Sequence, residues 1–283
     1  MKILVTVPFR EVHRQLLKKA APDADFLFYQ DYTIDGKKDE EKYCSFLKEA
    51  EIVIGNPSID EILSAPKLQF VQSSNAGVEK YTQVSGFPKN VLLCSMSGAF
   101  GGIISEYVLG GILMMYRNFP HYLEQQKKRL WQDAGSEQAL MGKTALILGT
   151  GDIGTNVAKR LKAFDVYTIG IRRTDRKLVQ YFDEVDTLDA LDKKLEQADI
   201  VIGCLPKTEK TIHLLNEKRM QKMKKGGLIV NVGRGSLIVQ PDLIKLLENG
   251  HLLGAVLDVA DPEPLPSDNP LWGMKNVLIT PHI

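Results

Sequence analysis

Short runs of apolar residues recur along the chain, and amphipathic stretches separate them. A run that is apolar at every position suits a strand buried on both faces, and the helical stretches between such runs supply covering layers. The N-terminal series of strand candidates is 2–7, 26–29, 52–55, 70–73 and 91–94. A second series follows at 144–148, 166–171, 200–204, 228–232, 254–257 and 277–280. This alternation predicts an α/β fold with parallel sheets.

The two series echo each other. AEIVIGNP at 50–57 resembles ADIVIGCLP at 198–206. Each has a helix end, a buried strand and a proline-containing loop at the strand's carboxyl end. Two related doubly wound units of Rossmann-like or flavodoxin-like type are therefore expected, and 283 residues is long for a single core. Between them, 103–130 is mostly helical in pattern, with its apolar half first. A helix apolar nearly all round must bury more than one face. It is either a core helix with a solvated tail or a linking helix at a subunit contact.

Composition narrows the class of partner. A net charge of +1 gives no reason to expect nucleic acid or an anionic membrane. The opening MKILVTVPF is too short an apolar run for a signal peptide, and Glu106 with two glycines interrupts the longest apolar stretch. Cys44, Cys94 and Cys204 are scattered, with no CxxC and no histidine at ligand spacing. The expectation is a soluble, cytoplasmic protein without a metal site.

TALILGTGDIG at 144–154 is a strand running into GxGxxG, followed by an amphipathic stretch. Gly149 suits the tight turn, Gly151 lets backbone approach a pyrophosphate, and Gly154 allows helix and strand to pack closely. Asp152 and Ile153 open the helix whose unpaired amides would receive the diphosphate. At the end of the next strand, about twenty residues on, NAD-binding folds place an acidic residue on the ribose. Here the positions are Arg172, Arg173 and Thr174. Either they form a solvated basic turn, or guanidinium replaces carboxylate to bind a 2′-phosphate, which favours NADP(H) over NAD(H).

Three further strand ends carry chemistry. NVGRGS at 231–236 places Arg234 between glycines, DVADPEPLP begins at Asp258, and NVLITPHI ends the chain with His282. Singly, each segment could be a solvated loop. In this order, with GxGxxG before them and Leu205, Pro206, Thr208 and Thr211 between, they resemble the D-2-hydroxyacid dehydrogenase family. The resemblance covers most of 66–283 and weakens toward the N-terminus.

The resemblance implies hydride transfer between a nicotinamide cofactor and C2 of a small 2-keto or 2-hydroxy acid. It makes His282 the general acid/base, oriented by Glu263, and Arg234 the group that binds the substrate carboxylate. Leu205, Pro206, Thr211, Gly233 and Asp258 would lie against the cofactor, Asp258 through Arg234 or the nicotinamide amide. FVQSSNAGV at 70–78 resembles the family loop that receives the carboxylate, giving Asn75, Ala76 and Gly77; by itself it is an ordinary tight turn.

The implied architecture is a substrate unit of 1–98 with 280–283, a dinucleotide unit of 99–279, and an active-site cleft between them. Hinges are expected near 97–98 and 280–281, and a homodimer is implied. Two features depart from the family pattern. Pro262 stands where many relatives carry a second acidic residue, and His282 is penultimate where relatives continue with a further helix. A chain end is expected to fray unless it is tied down. A dinucleotide-sensing interaction protein of the same fold, with little turnover, is the alternative function.

Overall fold

The computed structural model describes residues 1–84, 86–175 and 177–283. The chain divides into two compact units, Met1–Ala99 and Phe100–Ile283. The last residues group with the second unit: the Thr280 amide donates to the Leu257 carbonyl at 3.0 Å.

The first unit contains β1 (Lys2–Val5), β2 (Asp25–Phe28), β3 (Thr33–Ile34), β4 (Lys37–Lys38), β5 (Ile52–Ile54), β6 (Phe70–Gln72) and β7 (Leu92–Cys94). Five of these form a parallel sheet in the order β2-β1-β5-β6-β7, and β3 pairs antiparallel with β4 in a separate hairpin. Chain direction across the sheet reverses between β1 and β5, so the loops after β5 and β6 lie on one side of a topological switch point. Leu4, Val53 and Val71 face one core and Ile3 and Val5 the other, as the two-residue period requires.

The second unit carries β8 (Thr144–Leu148), β9 (Tyr167–Arg172), β10 (Glu184–Thr187), β11 (Ile200–Gly203), β12 (Gly227–Asn231), β13 (Leu252–Leu257) and β14 (Val277–Ile279). They form one seven-stranded sheet, ordered β10-β9-β8-β11-β12-β13-β14, with every pairing parallel. Leu146 and Leu148 enter the core on one face, while Ala145 and Ile147 enter the core on the other. The reversal of strand order falls between β8 and β11. Loops at those carboxyl ends form the crevice where such sheets take dinucleotides.

Two expectations are corrected. The apolar stretch is not one helix but two, Gly101–Tyr116 and Phe119–Lys127. Asn118 between them has a left-handed φ of 54°, and Pro120 in the next first turn cannot donate a hydrogen bond back across the junction. The strand β10 escaped the hydrophobic pattern because only Val185 in it is buried. Among the described residues no helix is long and apolar enough to cross a membrane.

Candidate active site

The strand β8 enters the glycine loop, and the helix Asp152–Lys162 leaves it. The three glycines differ in what a side chain would meet. Gly149 has φ +112°, a conformation that favours glycine, and a Cβ there would lie 3.0 Å from the Cys204 carbonyl oxygen. At Gly154 a Cβ would lie 1.9 Å from the Gly149 carbonyl oxygen, so helix and loop are in contact. At Gly151 nothing lies within 4 Å. That open space, beside first-turn amides with no side-chain cap, is what a diphosphate needs.

Asp152 uses its carboxylate elsewhere. Oδ2 accepts the Gly101 amide at 2.8 Å and Oδ1 accepts from Asn156 Nδ2 at 3.0 Å, leaving the backbone of Asp152 as its contribution to the loop. Ile153 packs against the core beneath. Arg172 ends β9 and forms an ion pair with Asp175 at 3.3 Å; Arg173 and Thr174 are exposed. The acidic partner was missed because it stands one residue beyond the stretch 172–174 that was read.

Across the switch point, Leu205 and Pro206 follow β11 and approach the backbone at Gly233, where a Cβ would meet Leu205 O at 2.8 Å. Thr211 is buried and donates to the Pro206 carbonyl at 2.7 Å while accepting the Thr208 amide at 2.8 Å. Its hydroxyl closes the loop.

The catalytic candidates of the second unit come together at the ends of β12, β13 and β14. Asn231, fully buried, accepts the Gly233 amide at 3.2 Å and donates to the Arg234 carbonyl at 2.9 Å, shaping the turn that presents Arg234. Sequence reasoning passed over Asn231; a polar amide inside the otherwise apolar run 228–232 was the available signal. Gly235 packs so tightly against Ala260 that a Cβ would lie 1.9 Å from its carbonyl oxygen.

Glu263 accepts the Ala260 amide at 3.0 Å, and its Oε2 lies 2.9 Å from His282 Nδ1. Partial burial pushes the Glu263 carboxyl up. The His282 and Ala260 hydrogen bonds, with the charges of His282 and Arg234, outweigh burial and hold it below its ordinary value. Because a carboxylate only accepts, Nδ1 of His282 carries the proton in this pair, and Nε2 is left for exchange with a substrate.

Asp258 was expected beside Arg234 or the cofactor. The structure shows its Oδ1 accepting from Thr280 Oγ1 at 2.6 Å and from the Ile283 amide at 3.0 Å. The backbone on either side of His282 is held through this carboxylate.

In the first unit, Asn75, Ala76 and Gly77 form the loop after β6, with Asn75 and Ala76 exposed. Asn56, after β5, organises it: Oδ1 accepts from Ser73 Oγ at 2.8 Å and from the Ser74 amide at 3.2 Å, while Nδ2 donates to Asn75 Oδ1 at 3.2 Å. Asn56 was noted in the echo but not as a site residue. Among the described residues no group of three or more His, Cys, Asp or Glu side chains could hold a metal ion.

A family model for the NAD-binding domain of D-isomer specific 2-hydroxyacid dehydrogenases matches residues 109–283. The chain belongs to that family. It is an NAD(P)-dependent oxidoreductase acting on the CH–OH group of 2-hydroxy acids and, in reverse, on 2-keto acids.

A D-isomer specific 2-hydroxyacid dehydrogenase family protein from Aeromonas salmonicida superposes with a TM-score of 0.86 at 38% identity, over 99% of this chain and 88% of that one. An NADPH-dependent glyoxylate/hydroxypyruvate reductase from Sinorhizobium meliloti, solved with NADP and sulfate, gives 0.80 at 26% identity, over 99% and 88%. A glyoxylate reductase from Thermofilum pendens is 33% identical over 83% of this dehydrogenase and 72% of its own length.

Proposed function

We propose that this dehydrogenase works as an NADPH-preferring reductase of small 2-keto acids of the glyoxylate and hydroxypyruvate class. The observation that carries the reading is the Glu263–His282 pair at 2.9 Å, within the field of Arg234 at the strand ends of a dinucleotide-type sheet.

Glu263 fixes the His282 tautomer by accepting from Nδ1. In reduction Nε2 gives its proton to the keto oxygen as hydride reaches C2, and in oxidation it takes that proton back. Arg234 binds the substrate carboxylate and polarises the carbonyl. When bound, the nicotinamide supplies or accepts the hydride. The residues that would hold the dinucleotide are Gly149, Gly151 and Gly154 with the Asp152 and Ile153 amides, flanked by Leu205, Pro206, Thr211, Gly233 and Asp258.

Two guanidinium groups at the end of β9 support the NADPH preference, as does the NADP bound in the Sinorhizobium relative. The Arg172–Asp175 pair is largely exposed and contributes little by itself, so a 2′-phosphate can displace the carboxylate. A homodimer in the cytoplasm completes the proposal. Exposed Phe119, Leu123, Leu130 and Trp131 support the first part, and three unpaired cysteines suit a reducing compartment.

The test begins with NADPH and NADH titrations followed by nicotinamide fluorescence. Glyoxylate, hydroxypyruvate and pyruvate are then added and the loss of absorbance is followed. His282→Ala should abolish turnover and spare NADPH binding; retention of full activity would sink the acid–base assignment. Equal affinity for both nucleotides would remove the stated preference.

A further inference from the structure

His282 sits in an unusual backbone setting. Its φ is +56°, in the left-handed region that a side chain with a Cβ rarely adopts, and it follows Pro281. Something must hold this conformation, because a left-handed φ at a residue with a Cβ persists only where its surroundings fix it.

The hydrogen bonds around it have only one consistent direction. Asp258, 5% exposed, accepts from Thr280 Oγ1 at 2.6 Å and from the Ile283 amide at 3.0 Å, both on the same oxygen. Tyr107 Oη lies 2.8 Å from Thr280 Oγ1. A carboxylate cannot donate, so the single Thr280 proton goes to Asp258 and Tyr107 must donate to Thr280. Burial, opposed by the Thr280 hydrogen bond and reinforced by the Asp258 charge, raises the Tyr107 hydroxyl above its ordinary value. Tyr107 therefore keeps the proton it donates.

One oxygen thus grips the residue two before His282 and the residue one after it. Tyr107, from the helix Gly101–Tyr116, fixes that grip to the body of the unit. We infer that Tyr107, Thr280 and Asp258 form a clamp that sets the backbone of His282, with Tyr107 and Thr280 as positioning residues for its imidazole. In this role Thr280 and Tyr107 act through the backbone, by keeping Nδ1 on Glu263. The inference rests on the acid–base reading of His282. Glu263 lies against the imidazole, Arg234 acts on the Glu263 carboxylate, and Asp258 holds the amide of the following residue.

The test uses conservative changes in the full chain. Thr280→Val keeps the shape and removes the hydroxyl. It should lower kcat for 2-keto acid reduction about 100-fold, the scale for a misplaced acid, with Kd for NADPH within about twofold of the wild type. Thr280→Ser restores the hydroxyl and should return kcat to within about threefold. Tyr107→Phe, which loses only the donated hydrogen bond, should cost about fivefold in kcat and decides the matter if Thr280→Val fails to fold.

A purely structural role would affect Thr280→Val and Thr280→Ser alike or weaken NADPH binding, and either result overturns the clamp. So does an unchanged kcat in both Thr280→Val and Tyr107→Phe. His282→Ala, run in parallel, separates the two readings. If it loses turnover while the clamp variants keep theirs, only the clamp fails; if it keeps turnover, the acid–base reading fails first.

Discussion

Gly154→Ala would set a Cβ 1.9 Å from the carbonyl oxygen of Gly149, an atom of the main chain that cannot swing aside. Helix and loop must separate by about 1.1 Å merely to reach 3.0 Å, the limit below which real Cβ contacts are essentially never found. Overpacking of this kind costs about 1–3 kcal/mol, and alanine returns up to about 1 kcal/mol of helix propensity. The net loss is about 1–2 kcal/mol, which lowers Tm by about 3–6 °C in a unit of this size.

Gly151→Ala is the matched control. Its φ of −80° and ψ of −157° are open to alanine, and no atom lies within 4 Å of the added carbon. Tm should hold or rise slightly, since the substitution mainly restricts the unfolded chain. The methyl group does fill the space assigned to the diphosphate, and Kd for NADPH should rise at least about tenfold, or 1.4 kcal/mol. Circular dichroism melts and nicotinamide fluorescence titrations read the two effects separately. Wild-type NADPH affinity in Gly151→Ala would refute the placement of the diphosphate. An unchanged melt in Gly154→Ala would refute the contact between helix and loop.

Three other variants test neighbouring parts of the site. Replacing both Arg172 and Arg173 by alanine should weaken NADPH about 10- to 100-fold while leaving NADH within about twofold, as expected when charge-assisted bonds to one phosphate are lost; parallel titrations decide, and equal losses for both nucleotides would count against the assignment. Glu263 has a folded-state value held below 4.5, so its stabilising contribution is present above pH 4.5 and disappears as pH falls through the lower folded value. The gap in urea stability between the wild type and Glu263→Gln should therefore be widest above pH 4.5 and close in acid. Asn231→Ala leaves the Gly233 amide and Arg234 carbonyl without their buried partner, and should cost about 2–4 kcal/mol in urea unfolding together with a loss of turnover.

The strands buried on both faces were legible in the sequence because each apolar side chain faces one of two cores, as Ala145 to Leu148 do. Pattern reasoning failed where burial is one-sided or local chemistry intervenes. Val185 alone could not mark β10, and Asn118 with Pro120 broke a helix that apolar spacing alone would have continued. The loops of the candidate site were legible by residue type, since glycines that allow close backbone approach, with arginine and histidine at strand ends, are choices that packing alone does not call for. Their internal wiring was not. Asp152 reaches Gly101 across 51 positions and Asn56 reaches Ser73 across 17, and spacing along a chain carries no record of such partners.

The Asp152 carboxylate stands at the start of two helices, heading one itself and receiving the first amide of the other from Gly101. Each helix start carries about half an elementary positive charge, and two such poles brought together would repel without a shared anion. The same anion subtracts from the attraction that the phosphate loop exerts on an incoming diphosphate. An enzyme that must exchange its cofactor after every cycle gains from an attraction limited in this way, because departure of the nucleotide can set the pace of turnover. Asp152 thereby lets one negative charge hold two helix starts together beside the glycine loop.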